Sequence, residues 1–180
     1  AEMGAVYARD RFRIEKPKVG LLSIGEEAGK GNPLVKESFA YLDSEDWQKR
    51  SSARFIGNVE GRDLMSGVAD VIVTDGFTGN VALKTLEGTA KSIVSALLGA
   101  FSSSPDAEQG AELLAPALLP LYAKLDPDSV GGAVLLGVKG IAMVSHGSSS
   151  AKAILNAAQT AYELAVDNHV EHLQAILLTK

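Results

Sequence analysis

The chain has no cysteine. That excludes disulfides, thiolate metal sites and a cysteine nucleophile within this segment. It has no basic block either: 17 Lys and Arg stand against 22 Asp and Glu, for a formal net charge of −5. Nucleic-acid binding needs clustered cations, so no nucleic-acid partner is expected. His146, His169 and His172 are its 3 histidines, and their spacing is not that of a metal site. His169 and His172 lie beside Asn168 and Glu171 and read as a solvated helix face. No apolar run is long enough to span a bilayer, and no signal-peptide pattern is visible. There is no Walker motif, no Gly-x-Gly-x-x-Gly fingerprint and no Gly-x-Ser-x-Gly elbow.

What is present is an ordinary globular composition, 180 residues with 46% apolar and 22% charged. This suits one sizeable domain or one lobe of a larger enzyme. Met3 to Asp10 reads as the middle of an amphipathic helix without an N-cap, so the chain is expected to be cut from something longer.

The organising stretch runs from Ala69 to Lys84. Val71, Ile72 and Val73 read as a strand buried on both faces, as in a parallel sheet. Asp75, Gly76, Thr78, Gly79 and Asn80 are turn and cap types. A strand feeding such a turn into a helix aims free N–H groups at one point, where anions bind. The same pattern also suits an ordinary βα connection. The helix is expected over about Asn80 to Phe101. Lys84 would lie one turn into it, a poor place for a cation unless an anion is near.

The turn recurs along the chain. Glu2 to Phe12 is expected as helix, and Val19 to Ile24 as a buried strand. The loop Gly25 to Asn32 follows, with Lys30 between glycines. Pro33 opens a helix with a stripe of Leu34, Val35, Ser38, Phe39 and Leu42. Asp46 to Ser52 reads as a polar connector whose Trp47 covers a core edge. Arg54 to Gly57 reads as a short strand. In the turn after it, Asn58, Glu60 and Arg62 alternate and can point together. Arg62 can hold a phosphate bidentately, or simply pair with Glu60 or Asp63. Ile141 to Val144 reads as the last strand, ending in Ser145 to Ser150, where Gly147 and Ser148 can cradle an anion and His146 can protonate a leaving group. Those serines also suit a plain helix cap. Ala151 to Leu177 closes the chain as one helix, packing Ile154, Leu155, Ala158, Tyr162 and Leu164 to one side.

Four strands ending in such turns would share the carboxyl edge of a parallel α/β sheet. The turns supply Lys30, Arg62, Lys84, Lys139 and His146, which points to an anionic or phosphorylated small molecule. Between the third and fourth strands, Ser102 to Asp106 separates two helical arms, expected as a hairpin over Ile93 to Leu125. Its second arm, with Leu113, Leu114, Leu118 and Leu119, is apolar for a connector. It suits a dimer or domain interface, or a shallow membrane contact.

Four stretches resemble the bacterial acyl-ACP:phosphate acyltransferases, the PlsX family of phospholipid synthesis. They are Val19 to Glu27 with Lys30-Gly31-Asn32; Phe55 to Asp63; Ala69 to Asn80; and His146 to Ser149. Met3 to Arg9 and Gly131-Gly132 through Lys139 match as well. The resemblance covers nearly the whole chain and implies an α/β/α fold of the isocitrate/isopropylmalate dehydrogenase type with a mostly parallel sheet. It implies acyl transfer from acyl carrier protein to inorganic phosphate, with no metal or organic cofactor. It also implies a homodimer and a peripheral association with the cytoplasmic membrane. Lys30 matches the family's lysine before Gly-Asn. The family's amino-terminal half, with its Met-Gly-Gly-Asp and Ser-Ala-Gly-Asn motifs, is absent, so residues 1–180 are expected to be the carboxyl-terminal part of one enzyme.

On this reading Lys30, Asp75, Asn80 and His146 are candidate catalytic residues. Gly31, Asn32, Asn58, Glu60, Arg62, Gly76, Thr78, Gly79, Lys84, Gly132, Lys139, Gly147 and Ser148 are candidate ligands for phosphate or substrate. A phosphotransacetylase-like acyltransferase, or a non-catalytic module that binds a phospholigand or carrier protein, would use many of the same residues.

Overall fold

The computed structural model describes residues 1–178, apart from the side chains of Lys124, Leu125 and Pro127. It is a mixed α/β chain whose residues divide into two units. The first unit comprises Ala1–Gly76, Val134–Ala142 and the segment from Thr160. It opens with α1 (Glu2–Phe12), which ends where Arg13 turns left-handed at φ 60°. β1 (Lys18–Leu22), α2 (Pro33–Leu42), α3 (Glu45–Arg50), β2 (Arg54–Val59) and β3 (Val71–Val73) follow.

β1 lies between β2 and β3, and both pairings are parallel. Its Val19, Leu21 and Leu22 are all buried, which is why the strand reads as a continuous apolar run. Ala5, Val19, Leu42, Trp47 and Ala53 form the core, with Phe55, Val71 and Val73 packed against it. Trp47, 1% exposed, sits in this core. The connector expected around it is a short helix, α3. Ser44 makes the helix by accepting a hydrogen bond from the Trp47 N–H, and Lys49 pairs with Glu45 across one turn.

The second unit comprises Phe77–Ala133 and Met143–Gln159. α4 (Gly76–Phe101) starts four residues ahead of expectation. Gly76 to Asn80 are therefore helix, and Lys84 lies more than two turns in, beyond reach of the helix's positive end. α5 (Pro105–Leu125) begins at Ser104, whose Oγ accepts from Ala107 N–H, and continues through Pro116 and Pro120. The expected last strand is shorter: β5 (Met143–Val144) pairs with β4 (Ala133–Val134) in a separate two-stranded sheet. Leu135 N–H donates to Ala142 O at 2.8 Å, so nearby backbone takes up the groups that would have joined the three-stranded sheet. The fourth turn therefore does not share that sheet's carboxyl edge by strand membership.

The expected closing helix is two, α6 (Ala151–Val166) and α7 (His169–Leu178). Asn168 between them is left-handed at φ 54°. The buried stripe of α6 is Ala153, Ala157, Thr160 and Leu164, while Ile154, Leu155, Ala158 and Tyr162 are exposed. Of the face expected, Leu164 is buried, while small residues make up the rest of the buried side. His169 is not solvated either. It is 2% exposed, with Nδ1 2.7 Å from Asp10 Oδ2. His172, half exposed, reaches the same oxygen at 3.1 Å.

Candidate functional site

In the first unit, candidate residues gather where β1 and β2 end. Ser23 N–H donates to Val59 O at 2.9 Å, closing the two strand ends together. The loop over residues 25–32 then folds back. Lys30 N–H donates to Glu27 O at 2.9 Å, and Asn58 Nδ2 donates to that same oxygen at 2.8 Å. Asn58 is buried and anchors the loop from below. Gly31 takes φ 98°, and a Cβ there would lie 2.7 Å from Val35 Cγ1 and 3.0 Å from Ser23 Oγ. Only glycine fits this left-handed, crowded point. Lys30 is exposed.

Three further candidate ligands are already engaged. Asn32 caps α2, its Oδ1 accepting from Val35 N–H at 2.9 Å. Glu60 forms a reciprocal capping box with Asp63 at the turn Gly61–Met65. Arg62 Nη2 contacts Glu26 Oε1 at 2.8 Å and Glu60 Oε2 at 3.2 Å. The hydrogen bond to Glu26, then the charge of Glu60, raises the guanidinium pKa. These carboxylates present to Arg62 the oxygens that a phosphate would present.

Ser23 Oγ and Asn58 Oδ1 are buried and have no hydrogen-bond partner. Sequence reasoning missed Ser23. Its signal was available: it is the first polar residue after a buried apolar strand, at the ligand-binding edge. Asp75 and Gly76 lie beyond the end of β3 in this unit, Asp75 half-buried directly ahead of α4. Lys139 is exposed and lines a cavity of about 250 Å³ with Leu164, His169 and Glu171.

The second unit holds a separate cluster. Lys84 Nζ is 2.7 Å from Glu87 Oε2 and 3.5 Å from His146 Nε2, and His146 Nε2 is 4.0 Å from Glu87 Oε1. The Lys84 hydrogen bond lowers the Glu87 pKa. Burial opposes that, and the charges of Lys84, His146 and Lys91 reinforce it. Sequence reasoning named Lys84 and His146 but not Glu87, although its position one turn beyond Lys84 puts it on the same face. Thr78, Gly79 and Asn80 occupy the first turns of α4. Gly147 and Ser148 lie in an exposed turn closed by Ser149 N–H to His146 O at 3.0 Å. Gly132 packs against Val144 and Ser145, too close for a Cβ. Among the described residues, no group of three or more His, Asp or Glu is arranged to hold a metal ion.

The first cluster sets Lys30 in an exposed loop, and the second sets Lys84 of α4 beside His146 of an exposed turn; cations so placed can meet an anion and stabilise developing negative charge. Known proteins carry related sequences. The fatty acid synthesis protein family matches residues 1–172. A phosphate acyltransferase of Elusimicrobium minutum is 51% identical over 174 residues, 97% of this chain and 49% of its own. Phosphate acyltransferases of Acidobacterium capsulatum and Anoxybacillus flavithermus are each 45% identical, over 97% and 95% of this chain and 50% of their own. The chain spans about half the length of the curated relatives it matches.

Proposed function

This chain belongs to the fatty acid synthesis protein family, and from that membership we propose that the whole protein moves a fatty acyl group from acyl carrier protein to inorganic phosphate. The product is acyl phosphate, for phospholipid synthesis. The observation that carries this reading is the 51% identity, over 97% of the chain, to a protein named phosphate acyltransferase.

Phosphate is already a nucleophile at neutral pH, so no residue needs to become acylated. A phosphate oxygen attacks the thioester carbonyl carbon. The C–O bond forms, the C–S bond breaks, and the departing thiolate takes up the proton that hydrogen phosphate gives up. Lys30 and the backbone N–H groups around Gly31 hold phosphate, with Arg62 once it leaves Glu26. Lys84 is a further ligand for phosphate or substrate, positive groups and N–H donors stabilise the oxyanion, and His146, Asp75 and Asn80 orient groups or pass the proton. Alignment of the two substrates supplies much of the rate.

The partners on this reading are acyl carrier protein and a second copy of the chain. Residues 93–125 act as a helical hairpin at the membrane surface. Exposure of Leu113, Leu114 and Leu119 on α5 supports that contact. No helix among the described residues is long and apolar enough to cross a membrane. Unchanged liposome co-sedimentation after Leu118→Asp and Leu119→Asp would remove the membrane contact.

The reading is tested on the complete natural chain with palmitoyl-ACP and inorganic phosphate, trapping acyl phosphate with hydroxylamine. Hydroxamate that requires phosphate and disappears in Lys30→Ala is the expected result. Intact acyl-ACP and no hydroxamate would overturn it and favour a binding module.

A further inference from the structure

We propose that Glu87 is a positioning residue, its carboxylate holding the Lys84 ammonium beside the His146 imidazole as one anion-binding pair. This rests on the acyl-transfer reading above. Lys84 and Glu87 lie three apart in α4 and so share a face. The carboxylate divides its oxygens: Oε2 takes Lys84 Nζ at 2.7 Å, while Oε1 is the one turned to His146 Nε2, at 4.0 Å. Lys84 Nζ stands 3.5 Å from that nitrogen. An ammonium has three donors. One goes to Glu87, one is directed at His146, and the third is left for a phosphate or carbonyl oxygen.

The order of exposure agrees with this division of labour. The Glu87 side chain is 30% exposed, against 48% for Lys84 and 63% for His146. The acid lies beneath and the two nitrogen groups face outward. Lys84 is too far along α4 to be held by the helix end. The Glu87 carboxylate is the group that fixes the ammonium at the imidazole. A plain surface pair at this spacing would add less than about 1 kcal/mol to stability and leave kinetics unchanged.

The test compares full-length wild type with Glu87→Gln and Glu87→Asp, reading kcat and KM for phosphate by hydroxamate formation, with thermal midpoints alongside. Glu87→Gln is expected to raise KM for phosphate about tenfold or more, since misplacement of about 1 Å is costly at a reacting centre. The midpoint should not move, and Glu87→Asp should recover most of the loss. In a Lys84→Ala background, Glu87→Gln should add nothing. A Glu87→Gln enzyme with wild-type kinetics, or a full additional loss in the Lys84→Ala background, overturns the proposal alone. A wild type that makes no acyl phosphate overturns the underlying reading and this one with it.

Discussion

Asp10 and His169 stand 159 positions apart and meet with 2.7 Å between Oδ2 and Nδ1. The same carboxylate oxygen takes His172 Nδ1 at 3.1 Å. Beside them Arg11 pairs with Glu163 and Arg13 with Asp167, both at 2.8 Å. Four polar contacts thus fasten α1 and the Arg13 that follows it to the end of α6 and to α7.

Replacing Asp10 by Asn is expected to cost about 1.5–3 kcal/mol, the range for a buried hydrogen bond to a charged group. His172→Ala is expected to cost less than about 1 kcal/mol, because that contact is half exposed. Urea denaturation of both variants checks the ranking. Equal losses would show that burial of the dyad does not matter.

The Asp10 link is sensitive to acid. Burial pushes its pKa up, but hydrogen bonds from His169, His172 and Arg9 outweigh burial and hold it below the ordinary 3.8. As pH falls, the unfolded chain binds its proton first. The stabilisation is therefore complete above the ordinary carboxylate range and is lost as pH falls through the lowered value. Urea midpoints from pH 6 downward should show wild type and Asp10→Asn converging. A constant gap between them would contradict the assignment.

Gly131→Ala is expected to destabilise the chain by about 2–4 kcal/mol, combining left-handed strain with overpacking. The backbone there has φ 83°, and a Cβ would lie 2.4 Å from Ala153 O and 2.5 Å from Ala157 N. These are backbone atoms of α6 and cannot swing aside. Gly147→Ala meets open space and should stay within about 0.5 kcal/mol. Thermal denaturation of the pair would reveal an error if the two behaved alike.

Glu26→Gln is expected to lower KM for phosphate about two- to fivefold in the full-length protein. It removes the nearer of the two carboxylates on Arg62 and leaves the guanidinium freer for phosphate. Folding stability should change by less than about 0.5 kcal/mol, as for other exposed pairs. A raised KM would mean that Glu26 holds the loop in its working shape rather than competing with the anion.

Much of the local structure was legible in the chain. α1 fell where expected although no side chain caps its start, and α2 starts at Pro33, which suits a first helical turn. β1 announced itself as an apolar run. The site was legible only as residue types at strand ends. That Arg62 meets Glu26 follows from where loops return, which spacing does not state. α6 shows the limit most clearly. Apolar residues surround it, so periodicity could not choose between Ile154 and Ala153, and close packing selected the smaller side chain.

By itself the sequence determined the apolar run of β1, the start of α2 and the family, since these depend on neighbours a few residues apart or on residue identity alone. Tertiary structure decided the rest. It buried His169 against Asp10 across nearly the whole chain, gave β5 a local partner instead of the parallel sheet, and set His146 beside the Lys84–Glu87 pair of α4. Each of those outcomes turns on which groups apart in the chain meet, and His169 meets Asp10 away from water, where an unpartnered polar atom is costly.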